Sequence, residues 1–281
     1  MQSFNPDLTE KIIDEIKKRT KTPAYSLTVE NKSEISLFDS KFGGMPYWDL
    51  KKEYPSDICG NKLMLLAQIN FDNADVNSPL PQSGMLQFFI DANDDVYGAD
   101  FNNPENQDKF RVVYHDNVDY SLNKQKISEL DIPVIEDCEY SPVSKELSVK
   151  ISPCESYMDC SNSHFDDIIK DILNNIGEII PDDISIYQYI DDECYDKIIE
   201  AVSACGHKML GFPFFTQSDP REYSDTLAKY DTLLLQIDSD EDDDRSFEII
   251  WGDCGVANFF INSEALLKKD FSKVIYNWDC Y

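Results

Sequence analysis

The sequence predicts an α+β fold: a β-rich core from two pseudo-symmetric repeats, with an N-terminal helix and two central helices packed around it. Three observations predict it. Short apolar runs, punctuated by Asn, Asp, Gly and Pro, recur along most of the 281 residues, which is the texture of strands and turns. Apolar residues at helical spacing appear only near the start, in the middle and briefly near the end. Blocks from the first part of the chain also return, in the same order, in the last part.

The first helix is expected over residues 7–19, where Leu8, Ile12, Ile13 and Ile16 share one face. Asn5-Pro6 suits its cap and first turn, and Lys17-Lys18-Arg19 suits the negative end of its dipole. Strands are expected over 25–29, 35–38, 63–69, 85–90 and 111–114, with two more around Val134 and Val149. Residues 91–104 read as a long polar connection pinned by Tyr97 and Phe101. Phe165, Ile168, Ile169, Ile172, Leu173 and Ile176 make the next helical face, with Gly177 near its stop. A Pro181-Asp182-Asp183 turn and an apolar stretch over 184–190 lead to a helix over 193–204. Strands then return over 232–237, 247–251 and 256–261, a short helix capped by Ser263 spans 264–269, and an aromatic strand over 271–278 closes the chain.

The repeat is carried by four matches. Lys41-Phe42-Gly43-Gly44-Met45-Pro46-Tyr47-Trp48 resembles Lys208-Met209-Leu210-Gly211-Phe212-Pro213-Phe214-Phe215. Glu53-Tyr54 resembles Glu222-Tyr223. Leu65-Leu66-Ala67-Gln68-Ile69-Asn70 resembles Leu233-Leu234-Leu235-Gln236-Ile237-Asp238, and Gly84-Met85-Leu86-Gln87-Phe88-Phe89-Ile90 resembles Gly255-Val256-Ala257-Asn258-Phe259-Phe260-Ile261. The period is far too long for a solenoid, so one domain over residues 1–281 is expected, with halves near 40–115 and 207–278.

The same blocks, with Leu80-Pro81, Tyr97-Gly98, Phe110-Arg111-Val112 and Tyr276-Asn277-Trp278-Asp279, resemble the YwqG-like family, a bacterial domain of unknown function. The resemblance spans nearly the whole chain and implies an α+β fold with a duplicated β-rich core. It brings no established activity and no catalytic residues. It also implies an immunity role, through members that sit near toxin genes of contact-dependent competition systems.

Charge narrows the function classes. The net charge is −29, yet residues 1–62 hold ten acids and ten bases, so all of it belongs to the rest of the chain. Residues 153–200 carry thirteen acids against Lys170 and Lys197, and Asp238-Ser239-Asp240-Glu241-Asp242-Asp243-Asp244 is a second concentration. Such a chain is unsuited to phosphate backbones and to anionic membranes. No signal peptide and no membrane span are visible, and eight cysteines without a C-x-x-C pair read as reduced thiols, so a cytoplasmic location is expected.

Catalytic and metal patterns are not found. His115, His164 and His207 stand alone, and no nucleophile elbow or phosphate loop occurs. Asp238, Asp240, Asp242 and Asp244 alternate like early calcium-loop ligands, but Asp243 stands where glycine is required and Ile249 where glutamate is. No metal or cofactor is therefore expected, and the run reads as a flexible, charged hairpin connection. The function expected is a non-enzymatic, acidic protein-binding module, an immunity-type partner that neutralises a basic toxin, with Asp240, Glu241, Asp242, Asp243 and Asp244 on its face. The alternative is an enzyme or small-molecule binder with a polar site between the halves. Gln68, Gln87, Gln236 and Asn258 interrupt apolar strands at matching places; either they satisfy irregular backbone near the Gly-x-Pro turns, or they line this site with Trp48 as a wall.

Overall fold

The computed structural model describes residues 6–181 and 183–281. In chain order the elements are α1 (Pro6–Thr20), β1 (Thr22–Glu30), β2 (Lys41–Phe42), β3 (Met64–Asn70), β4 (Met85–Ile90), β5 (Phe110–His115), α2 (Lys124–Ser128) and β6 (Leu147–Ser156). There follow α3 (Phe165–Asn175), α4 (Ile186–Tyr189), α5 (Asp192–Val202), β7 (Lys208–Leu210), β8 (Thr232–Asp238), β9 (Asp240–Glu241), β10 (Glu248–Ile249), β11 (Val256–Ile261), α6 (Ser263–Leu267) and β12 (Val274–Asp279). Among the described residues twelve strands accompany six α-helices, consistent with an α+β fold built mainly on sheet.

Ten strands form one antiparallel sheet in the order β12-β11-β8-β7-β1-β6-β2-β3-β4-β5. The long pair β1/β6 lies at the centre, with Thr28 opposite Lys150. Outward from it, Lys41 faces Gln68 and Gln68 faces Gln87 on one side; Lys208 faces Gln236 and Gln236 faces Asn258 on the other. The pairing slips at Leu66 of β3 and at Leu234 of β8, the same place in each matched block. A slip of this kind adds a residue to one strand and bends it.

The bending brings the two ends of the sheet together. The ring of Phe110 on β5 lies 5.3 Å from that of Tyr276 on β12, and Phe88 lies 5.0 Å from Phe259. The sheet is thus nearly closed on itself, and its inner face is the main core. Alternation decides which side chains go inside: Phe88 and Ile90 point in, whereas Phe89 points out under Tyr47, Trp48 and Tyr54. A smaller outer cluster of Phe215, Tyr230, Leu233, Phe260 and Ile275 covers the other side. Helices α1, α3, α4 and α5 make a separate apolar layer through Ile12, Ile16, Ile169, Leu173, Ile186 and Ile198. It adjoins the Thr22/Ser156 end of the central pair, where the Thr20 hydroxyl accepts from the Met158 amide at 3.2 Å.

Several expectations change. Residues 35–38 are turn rather than strand, because the Asp39 carboxylate accepts the Ser36 amide and closes the loop. Val134 precedes a 3₁₀ turn over Ile135–Asp137 and lies in no strand. The expected strand over 247–251 shrinks to Glu248–Ile249, and the aromatic strand begins only at Val274. Helix α6 is capped by Asn262, whose side chain accepts from Glu264 and Ala265, so Ser263 is inside the helix and not its cap. Helix α4 starts at a capping box between Ser185 and Gln188. The expected cap at Asn5 and the Asp182 turn residue lie outside the described residues. No helix among the described residues is long and apolar enough to cross a membrane.

Candidate functional site

The Gly-x-Pro blocks follow β2 and β7. Gly44 (φ +74°) and Gly211 (φ +77°) hold left-handed backbone there, and a Cβ on either would sit 2.3 Å from Glu146 or 2.5 Å from Ser156. The peptide after each proline then runs over the sheet and needs hydrogen-bond partners that strand pairing does not supply.

The four interrupting amides supply them. The Gln68 Oε1 accepts from the Tyr47 amide at 2.8 Å, and its Nε2 donates to the Leu37 and Asp39 carbonyls at 3.0 and 2.9 Å. The Gln236 Oε1 accepts from the Phe214 amide at 2.8 Å, and its Nε2 donates to the Ala204 and Gly206 carbonyls at 3.0 and 2.7 Å. Gln87 Nε2 donates to the Tyr47 carbonyl at 2.6 Å and to Gln68 Oε1 at 2.8 Å; Asn258 Nδ2 donates to the Phe214 carbonyl at 2.9 Å. All four are fully buried. Both hydrogens of each glutamine amide are engaged, so the glutamines clamp backbone and offer no free donor to a ligand; Asn258 Oδ1 alone lacks a partner. Trp48 is buried too, packed edge-on against Tyr54, Phe89 and His115, so it is first a part of the apolar cover over Phe89.

His115 completes the first clamp. Gln87 uses its NH₂ on Tyr47 and Gln68, so its Oε1 must accept from His115 Nε2 at 3.0 Å. The other ring nitrogen, Nδ1, is then the acceptor facing Lys52 Nζ at 3.4 Å. Burial, reinforced by the Lys52 ammonium, pushes His115 down to about 4. It is neutral at physiological pH. The folded value lies below the unfolded one of about 6.5, so its contribution to stability is present above pH 6.5 and is lost as pH falls toward 4. We expect His115→Gln to flatten the acid limb of a stability-versus-pH curve measured by urea unfolding; an unchanged slope between pH 6.5 and 4.5 would refute this.

The acidic run lies in a hairpin. Residues 240–249 make the two-stranded ribbon β9/β10, with Glu241 opposite Glu248. Its turn is organised by Asp242, whose carboxylate accepts from the Phe247 amide at 3.2 Å and from the Ser246 hydroxyl. Asp240 is oriented by the buried His207. The Asp238 amide donates to His207 Nδ1 at 3.0 Å, so Nε2 carries the hydrogen and donates to Asp240 Oδ2 at 3.3 Å. Beneath the ribbon lies a cavity of about 580 Å³ that combines Asp238, Asp240, Glu241 and Glu248 with apolar Phe214, Ile249 and Ile250. Arg245 is the one base on its wall, and it pairs with Glu241 at 3.3 Å. A second hollow shares Cys205, Asp238, Ser239 and Asp240 with it, so the acidic wall is continuous. Asp243 and Asp244 are at the ribbon tip and do not line either cavity. No group of His, Cys, Asp or Glu among the described residues is arranged to hold a metal ion. The continuous wall could not have been read from the sequence, because His207 and Phe214 reach it only through the β7/β8 pairing.

A family model described as Domain of unknown function (DUF1963) matches residues 40–280. No curated protein matches the chain.

Proposed function

We propose that this chain, which belongs to the DUF1963 family, is a non-enzymatic binding module whose acidic side takes a basic protein. The observation that carries the reading is the wall of Asp238, Asp240, Glu241 and Glu248 around an apolar floor of Phe214, Ile249 and Ile250. Charge at the rim steers a basic partner, and apolar area at the centre gives it something to bury. Within the family we assign the chain to the YwqG-like group, on the motifs quoted above, and its partner to the toxins of competition systems. A basic toxin such as a nuclease would meet here an acidic surface in place of its nucleic acid. A cytoplasmic site of action follows from this reading.

We also read β2–β5 and β7, β8, β11 and β12, which flank the central pair β1/β6, as halves of one duplicated domain. The amide bonds support this: Leu37, Asp39 and Tyr47 on one side, and Ala204, Gly206 and Phe214 on the other, each stand 167 positions apart and bond to Gln68 and Gln236 in the same way. The acidic ribbon belongs to the second half alone, because the stretch after Asn70 is a 3₁₀ turn over Phe71–Asn73.

The test is binding to the toxins encoded beside its gene. Association with a cognate toxin should slow at least about tenfold between 50 and 300 mM salt, as expected for a screened encounter. Asp240→Asn, Glu241→Gln, Asp243→Asn and Asp244→Asn together should slow it further, with Asp242 kept because it builds the turn. Salt-independent association, or no binding to any neighbouring toxin, would sink the proposal.

A further inference from the structure

The 54 acids outnumber the 25 bases about two to one, so most cations should find a carboxylate. Arg221 illustrates the rule: its guanidinium is bidentate to Asp219, donates to the Tyr230 carbonyl and lies 3.8 Å over the Phe260 ring. Other cations, Lys62 and Lys208 among them, also bond only to carbonyls, but two cations without an ion pair meet in one place. Among the described residues, Arg111 makes a single bond, from Nη2 to the Gln107 carbonyl at 3.1 Å, and its Nε is buried without a partner. Lys52 faces only the neutral ring of His115. Neither has a carboxylate within ion-pairing distance, yet both line one cavity of about 550 Å³. Its other walls are Trp48, Tyr54, Pro55 and the exposed Ile58.

The placement follows from the strands. Arg111 lies opposite Phe89 on β5 at the end of the sheet, so it projects to the outer side that residues 46–60 cover. Glu53 and Asp57 also line the cavity, which leaves it near neutral. Asp57 is turned to its own loop, accepting from the Cys59 and Asn61 amides at 2.9 and 2.7 Å. Two unpaired cations beside two acids favour a monoanion over a dianion, and the aromatic and aliphatic wall favours one with an apolar body.

We propose that this cavity binds a small organic carboxylate, its oxygens on Arg111 and Lys52 and its apolar part against the exposed Ile58 and the edges that the otherwise buried Trp48, Tyr54 and Pro55 present. A guanidinium with open donors is suited to a planar carboxylate, and the exposed lysine adds a second, adaptable donor. The site is separate from the acidic wall and does not depend on it.

Benzoate, acetate and inorganic phosphate are the probes, titrated into the full chain and followed by the Trp48 indole N–H resonance. That group donates to the Lys52 carbonyl at 3.0 Å and so reports on the site. Benzoate should saturate in the millimolar range, and acetate should bind at least about fivefold more weakly, since the ring buries apolar surface. Lys52→Gln and Arg111→Gln should each weaken benzoate about five- to tenfold, with Arg111→Lys between Arg111→Gln and the parent. Lys52 is exposed, so Lys52→Gln tests the idea without threatening the fold. No saturable benzoate shift, benzoate affinity unchanged from the parent in Lys52→Gln and Arg111→Gln, or tighter phosphate than benzoate would each overturn the assignment.

Discussion

Gln68→Ala is expected to lower the stability of the fold by about 4 kcal/mol, one of the largest effects of any single substitution here. The change deletes the acceptor of the Tyr47 amide and the donors to Leu37 and Asp39, and strands one hydrogen of Gln87. A buried polar group left without a partner costs about 1–3 kcal/mol, and carbonyls somewhat less than amides. Set against a total of about 5–15 kcal/mol, such a loss leaves little margin. The measurement is urea unfolding, read as a fall in midpoint with the slope unchanged. Gln68→Met separates the causes, because it restores volume and no hydrogen bonds. If Met recovers all but about 1 kcal/mol, cavity formation and not the clamp explains the loss. Gln68→Met with Gln87→Met should cost less than the sum of the two, since both amides serve the Tyr47 peptide.

How far these features can be read from the sequence depends on the range over which their cause acts. The strands at 85–90 and 256–261 are seen correctly because they are apolar on both faces and bounded by glycine on one side. Strands β2 and β7 are missed because two or three residues carry no periodicity; they exist only through the neighbours that pair with them. The matched amides are found by the repeat, and their sequence context already placed them beside the Gly-x-Pro turns. Whether they line a pocket or clamp backbone is decided by Leu37, Asp39, Ala204 and Gly206, up to 32 residues away, and no local rule links those to a glutamine. Arg111 looks like any strand arginine in the sequence. Its lack of an acid is a property of the assembled sheet end.

The matched lysines carry this lesson into an experiment with opposite expected signs. Lys41 and Lys208 hold the same place in their blocks, and both are buried. Lys41 Nζ donates to Glu146 Oε1 at 2.7 Å and to the Ser36 carbonyl at 3.1 Å. Lys208 Nζ donates to the Ala204 carbonyl, which Gln236 already serves, and no carboxylate pairs with it. The difference arises beside the two glycines: Gly44 abuts the Glu146 side chain, whereas Gly211 abuts Ser156 and Ala24. Burial, only partly offset by the more distant Asp159, lowers Lys208 to about 8. An unfolded lysine titrates near 10.4, so between about pH 8 and 10.4 the unfolded chain binds more protons than the native one, and stability rises with pH. Below pH 8 the native state carries the full cost of the buried ammonium, on the order of 3 kcal/mol. Lys208→Met should therefore raise stability at pH 7 by about 1–2 kcal/mol, less than the full cost because the Ala204 bond is lost. That gain should shrink toward zero by about pH 9.5. Burial lowers Lys41 too, against the opposing pull of Glu146, yet Lys41→Met should destabilise by about 1–2 kcal/mol, since it leaves Glu146 without its nearest cation and the Ser36 carbonyl without its donor. Comparing each variant with the parent at the same pH cancels the titration of the thiols. Destabilisation by Lys208→Met at pH 7, or a gain that does not change with pH, would mean that the ammonium is matched by partners the fold does not display.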